Sequence, residues 1–330
     1  MLIKKIAMDY KKPKLVCVGE TFLTKPADHH RPWFEEYFDV SEYNHDKEYD
    51  STHTFIYRFK QDEESVKKYR GTGCKFIADG LWEVNFFCGT DFDQDTLPII
   101  NTGQFDQKRM LRVPKFFWFE EYLSQHHRKE QVTSWPCEHE KIYDFLMLIG
   151  KHTAERQVLL DRLEQLDLLD KSLYSVLFKG KSLEGKIESY TPAKRDFSQR
   201  HYEPDWYNST HYSLVVESIV YVDGFVTEKT FKPIMYGHPF MIYGNRGSLP
   251  LLESWGFKTF EDLFDQSYDL ERDTAKHLEL ITAQIQNFKS VPETSVQKTK
   301  HNFNRFWDSD VVRKYYYQDL ILPILNFVTA

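Results

Sequence analysis

Residues 211–248, HYSLVVESIVYVDGFVTEKTFKPIMYGHPFMIYGNRGS, hold two apolar runs flanking a short charged segment. The first run, Leu214 to Val216, ends at Glu217, and the second, Phe240 to Tyr243, ends at Gly244. Between them, Thr227-Glu228-Lys229 opens a stretch with helical spacing. A strand, a charged loop, a helix and a strand in that order form half of a nucleotide-binding sheet.

Thr227 is a good N-cap, because its hydroxyl can accept from a free N–H of the first turn, so the helix is expected to start at Glu228. Its N-terminus would present free N–H groups and partial positive charge, to which Lys229 adds a full one. A diphosphate is the natural guest. Glu228 would repel phosphate, but it makes sense turned sideways to accept from a ribose diol. Taken alone, T-E-K also fits a helix whose first acid complements the dipole and whose lysine is solvated.

The segment VVES…FVTEKTFKPIMYGHPFMIYG resembles the donor-binding signature of the fucosyltransferase-like glycosyltransferases: a strand ending in an acid, a loop, a (Y/F)-V-T-E-K helix and a G-x-P-(V/F) strand. Phe225, Val226, Thr227, Glu228 and Lys229 match in order, and Glu217 matches the earlier acid. Residues 142–260 carry the likeness, which extends to uncharacterised phage and bacterial proteins with T-E-K-T-F-K-P-I and G-H-P-F. The resemblance implies a GT-B architecture: two Rossmann-type α/β domains with a cleft between them and a helical C-terminus. It also implies an arginine gripping the donor diphosphate, a place filled by Arg156 with Lys151 as second choice, and Glu217 close to the donor sugar. Guanidinium suits phosphate because it bonds two oxygens at once.

Organisation along the chain agrees with an α/β fold. Lys14 to Val18, Phe55 to Tyr57, Lys75 to Ala78 and Val84 to Cys88 are strand-like, with a short helix near Pro32 to Phe38. A second unit opens with Tyr143 to Ile149, followed by a helix from Ala154 to Leu168 and a strand from Ser172 to Phe178. Residues 179–210 read as a loop, Leu249 to Trp255 as a short helix, and 271–328 as wholly helical. The expected domains are an acceptor-binding domain over 1–140, a nucleotide-sugar-binding domain over 141–305, and a C-terminal helix over 306–330 packing back on the first.

With 330 residues there is room for two cores. The 43 Lys and Arg against 50 Asp and Glu give a net charge of −7, so no global attraction to nucleic acid is expected. A local basic cleft is still compatible with DNA. Cys17, Cys74, Cys88 and Cys137 lack metal-site spacing and read as buried thiols of a reducing compartment. No segment approaches the roughly 20 apolar residues of a membrane span, and the basic N-terminus lacks a signal-like apolar run. A cytoplasmic protein, in a bacterium or a phage-infected host, is expected.

An inverting transfer needs a base for the acceptor hydroxyl. Glu20, after KLVCV, and Asp79, after KFIA, stand at strand ends, with Asp28 and His29 as weaker choices. Gly237 and Pro239 read as helix-stop residues, and His238 between them either touches the donor or is structural. Gly150-Lys151-His152-Thr153 lacks the glycine spacing of a P-loop. The acids Asp91, Asp93 and Asp95 have D-x-D form but no second set of oxygen ligands, and the pairs His29-His30 and His126-His127 lack helical metal spacing, so no metal site is assigned.

These readings converge on a glycosyltransferase using a GDP- or UDP-sugar, inverting, needing no cofactor, with a bacterial surface glycan as acceptor. The alternatives are a phage enzyme glycosylating hydroxymethylated bases in DNA, and a catalytically silent carbohydrate-binding protein of the same fold.

Overall fold

Among the described residues, eleven strands fall into two sheets whose orders are those of doubly wound α/β folds. The computed structural model describes residues 11–24, 29–58, 60–81, 92–100, 110–132, 135–149, 153–177, 183–185, 204–217 and 223–330. The chain divides into one unit of residues 1–124 and 310–330 and another of 125–309.

In the first unit, β1 (Lys14–Val18), β2 (Asp39–Glu42), β3 (His53–Tyr57), β4 (Lys75–Gly80), β5 (Thr96–Ile100) and β6 (Leu111–Arg112) lie in the order β2-β1-β3-β4-β5-β6. Every pair is parallel. The order reverses between β1 and β3, which opens a crevice beyond their carboxyl ends.

Three of these strands, β2, β5 and the two-residue β6, escape sequence reading. β2 (DVSE) is a polar edge strand without buried residues. β5 (TLPII) carries Pro98, which argues against an interior strand. It is tolerated because β6 begins to pair with β5 only at Ile99. The expected strand over Val84 to Cys88 lies outside the described residues.

The abundant aromatic residues fill the core. Phe55 stacks between Tyr69 and Phe76 at 5.1 and 5.6 Å, over a cluster that includes Val16, Val18 and Ala78. Residues 310–330 belong to this unit through Tyr316, whose hydroxyl meets His30 Nδ1 at 2.9 Å. The other ring nitrogen, Nε2, meets Glu120 at 2.6 Å. All three side chains are buried, so each satisfies a polar group that would otherwise be costly.

In the second unit, β7 (Tyr143–Ile149), β8 (Ser172–Leu177), β9 (Leu183–Gly185), β10 (Thr210–Val216) and β11 (Phe240–Tyr243) are ordered β11-β10-β7-β8-β9. All pairs are parallel except β8 with β9. Here the order reverses between β7 and β10. The α/β class with parallel sheets and a helical C-terminus is as expected. The stretch read as wholly helical resolves into helices Thr274–Asn287 and Glu293–Phe306, then a run from Ser309 to Thr329 containing a π turn at Tyr317–Ile321.

Helix Glu228–Met235 connects β10 to β11 and ends as its sequence implies. Gly237 takes φ +65°, and the His238 N–H returns to Pro233 O at 2.9 Å. A side chain at Gly237 would also strike the Trp135 ring, which lies 2.6 Å from the position of a Cβ. Among the described residues no helix is long and apolar enough to cross a membrane.

Candidate functional site

The carboxyl end of β10 is where Arg156, Glu217, Thr227, Glu228 and Lys229 meet. Thr227 is the N-cap of helix Glu228–Met235, with extended backbone and its hydroxyl accepting from Lys229 N at 3.4 Å. Its carbonyl accepts from Thr230 N at 3.1 Å.

Glu217 supplies the support for this turn. Its carboxylate accepts from Thr227 N at 2.9 Å, from Thr227 Oγ1 at 2.6 Å and from Thr230 Oγ1 at 2.8 Å, all in a buried setting. A buried carboxylate with three donors ties the loop to the strand end, ten residues apart in the chain. The carboxylate expected near the donor sugar is thus committed to shaping the turn.

As expected, Arg156 is placed in the first turn of its helix, Ala154–Gln165, and the structure adds Thr153 as the N-cap. Its guanidinium is buried and donates to Val216 O at 2.8 Å and Glu217 O at 3.3 Å. Burial pushes its pKa downward, against the pull of Glu217 and Glu228. The expected direct grip on a diphosphate is therefore corrected: Arg156 fixes the end of β10 and lends positive charge from behind it. Lys151 lies outside the described residues.

Glu228 and Lys229 pair with each other, and Lys229 Nζ also reaches Thr227 Oγ1 at 3.2 Å. Burial alone would raise the Glu228 pKa, but the Lys229 ammonium offsets it and the net shift is downward. The Glu228 side chain is almost fully covered, whereas the Lys229 side chain keeps 21% exposure and is the cation of the turn that solvent reaches.

Phe225 is buried, and its carbonyl accepts from Asn245 Nδ2 at 3.0 Å and Ser248 Oγ at 3.3 Å. Sequence reading missed these two braces, although both follow directly on the second apolar run. At Gly244 a Cβ would lie 2.9 Å from Glu217 Cβ, so the absence of a side chain lets β11 close on the acid.

His238 belongs elsewhere. It is buried at the opposite end of the sheet, where β10 begins, with Nε2 on Thr210 O at 2.9 Å and Nδ1 on Ser213 Oγ at 2.8 Å. Burial pushes its pKa down to about 3. Ligands of open α/β sheets bind beyond the carboxyl ends of the strands, so the reading as a donor contact is corrected to the structural one.

In the first unit, Glu20 and Asp79 flank Arg58, a residue that sequence reading passed over although it directly follows the strand run at Tyr57. Arg58 is buried and donates to Asp79 Oδ2 at 2.8 Å and to Glu20 Oε1 at 3.5 Å. Asp79 further accepts from Phe22 N at 2.8 Å and Leu81 N at 3.2 Å. Asp79 thus braces the loop after β1. Glu20 has its side chain half exposed beyond β1, at the switch point.

Of the D-x-D acids, Asp93 pairs with Arg70 at 2.8 Å and accepts from Thr96 Oγ1 at 2.6 Å. Asp91 and Asp28 lie outside the described residues. Cys17 and Cys74 are buried thiols outside any disulfide and Cys137 is a half-buried one; Cys88 is outside the described residues.

No family model matches the chain, and no curated protein matches it. Among solved structures, a crystal structure of an alpha1,3-fucosyltransferase with GDP is similar to it, at 12% identity and a TM-score of 0.44. The match covers 93% of this chain and 94% of that one.

Proposed function

We propose that the protein is a glycosyltransferase that takes its sugar from a nucleoside diphosphate donor. The observation that carries this reading is the Thr227-Glu228-Lys229 turn, held by Glu217 at the carboxyl end of β10, beside the switch point of a doubly wound sheet. A helix N-terminus with an accessible ammonium at that location suits a diphosphate leaving group.

In this reading Lys229 moves from Glu228 toward the donor phosphates and neutralises the charge that builds on them as the glycosidic bond breaks. Glu228, released, accepts from the ribose hydroxyls. Arg156 and Glu217 act as positioning residues, since both bond to the backbone that presents the turn. The electrostatic work is assigned to these groups, without a cofactor.

Glu20 is the group assigned to the acceptor hydroxyl. Its half-exposed carboxylate can take the proton while Arg58 holds it by one oxygen. A glycan hydroxyl is the acceptor we assign, in keeping with the family resemblance.

A thermal-shift panel of GDP, UDP, their sugars, GMP, UMP and CMP tests the reading. Stabilisation by one diphosphate and not by its monophosphate is expected; no shift with any of them would overturn it. Incubation of the stabilising donor with glycans and with hydroxymethylcytosine DNA then assigns the acceptor.

A further inference from the structure

Glu20, the group assigned to the acceptor hydroxyl, stands on the segment between β1 and helix Arg31–Glu35. The residues beside it are closely held. Thr21 N donates to Thr24 Oγ1 at 2.8 Å, Thr24 Oγ1 donates to Gly19 O at 2.9 Å, and Leu23 N donates to Thr21 Oγ1 at 3.2 Å. Phe22 N donates to Asp79 Oδ2 at 2.8 Å. The same oxygen accepts from Arg58 Nη2 at 2.8 Å, and Arg58 Nη1 donates to Glu20 Oε1 at 3.5 Å. A shift of Phe22 therefore reaches Glu20 through Asp79 and Arg58.

The far end of the segment is fixed by distant parts of the chain. The His30 ring meets the Phe22 ring edge-on, with centres 5.6 Å apart, and stacks on Phe116 at 5.3 Å and 9°. Its Nδ1 lies 2.9 Å from the hydroxyl of Tyr316, 286 residues on, and its Nε2 lies 2.6 Å from Glu120. His30 is 1% exposed and Tyr316 2% exposed, so neither can turn to solvent for a substitute partner.

Tyr316 is itself pinned. Arg313 pairs with Glu36 at 3.0 Å, Asp319 pairs with Lys115 at 2.7 Å, and Lys75 Nζ donates to Phe327 O at 2.6 Å. The π turn begins at the next residue, Tyr317, and turns of this kind are rare and frequent at functional sites.

We infer that Tyr316 and His30 are positioning residues for the proton transfer assigned to Glu20. Contact runs from Tyr316 to His30, Phe22, Asp79, Arg58 and Glu20, and a contiguous set of packed and hydrogen-bonded groups of this kind can carry coupling. Residues 310–330 thereby hold the carboxylate in place from behind. Tyr316 and His30 are buried, so they act through Glu20 and not on the substrate. This role rests on Glu20 being the base, as proposed above.

The test is a double-mutant cycle in the full chain: wild type, Glu20→Gln, Tyr316→Phe and the pair. Tyr316→Phe removes one hydroxyl and keeps a ring against Trp33, Phe34 and Phe119, so it is expected to fold. The probes are GDP-fucose, GDP-mannose, UDP-glucose and UDP-galactose, whose release of nucleoside diphosphate with water as acceptor gives kcat and KM. Glu20→Gln is expected to lower kcat about a hundredfold. Tyr316→Phe should lower kcat about tenfold with donor KM unchanged, and should have no further effect once Glu20 is replaced. Hydrogen exchange in the wild type adds a reading that needs neither variant nor substrate: peptides 19–24 and 312–320 should lose protection together as urea rises.

An equal loss from Tyr316→Phe in both backgrounds, no loss in the wild-type background, or protection of 19–24 outlasting that of 312–320 overturns the positioning role and leaves Glu20 standing. Unchanged kcat in Glu20→Gln overturns Glu20 as the base, and the positioning role with it. No turnover of any of the four donors by the wild type overturns the transferase reading and both assignments.

Discussion

The carboxylate of Glu217 accepts from both the backbone N–H and the hydroxyl of Thr227, at 2.9 and 2.6 Å. One acid at a strand end thereby sets the conformation of the turn that starts the next helix. Replacing it leaves a buried amide and two buried hydroxyls without their acceptor. Glu217→Ala is expected to cost about 3 kcal/mol of stability by urea denaturation, and to remove the thermal shift produced by the cognate nucleotide.

Lys229 is the partly exposed cation of the same turn. Lys229→Ala is expected to lose about 1.5–3 kcal/mol of diphosphate binding, roughly ten- to hundredfold in affinity by titration. It also leaves Glu228 buried without its partner. In the wild type the Glu228 pKa is depressed, so its contribution is present above the unfolded value and lost as pH falls through the folded one. In Lys229→Ala only Lys232 and the backbone hydrogen bond still oppose burial, so the depression should shrink and the loss of stability on acidification should weaken relative to the wild type, in urea melts across pH 4–7.

Asp269 gives a second pH signature. Burial pushes its pKa up to about 6, although the amides of Leu249, Ser248 and Gly247 pull it down. Because the folded value lies above the unfolded one, the unfolded chain binds fewer protons between them, and stability is lost as pH rises from about 4 to about 6. Asp269→Asn should flatten that part of the stability profile relative to the wild type, with a difference on the order of 2 kcal/mol across the window. A parallel profile for the two proteins would contradict the assignment.

His238 separates structure from binding. It is buried, and both ring nitrogens are bonded. His238→Ala should destabilise the protein by about 2–4 kcal/mol, while nucleotide affinity measured well below the melting temperature stays within error of the wild type.

Gly244 reports on the packing of β11 against the acid. Gly244→Ala places a methyl 2.9 Å from Glu217 Cβ and 3.2 Å from Ile242 Cγ2. A cost of about 1–3 kcal/mol is expected, together with weaker nucleotide binding because Glu217 must shift. Chemical denaturation and titration of the same preparation measure both.

Residue patterns alone marked the strands at 14–18, 143–149 and 240–243, the cap at Thr227, the helix that follows and the stop at Gly237, because capping, periodicity and positive φ are local properties of a few neighbouring residues. The hidden strands β2 and β5 needed their partners, since one is polar and the other holds a proline that only its place in the sheet makes harmless. The roles of the candidate residues were settled over longer distances. Arg156 meets Val216 across 60 residues, and Asp79 meets Phe22 across 57. Such pairings depend on strand order and register, which no short window of sequence contains. They decided that Arg156, Glu217 and Asp79 brace the backbone, that His238 lies at the far end of the sheet, and that Lys229 and Glu20 stay within reach of solvent.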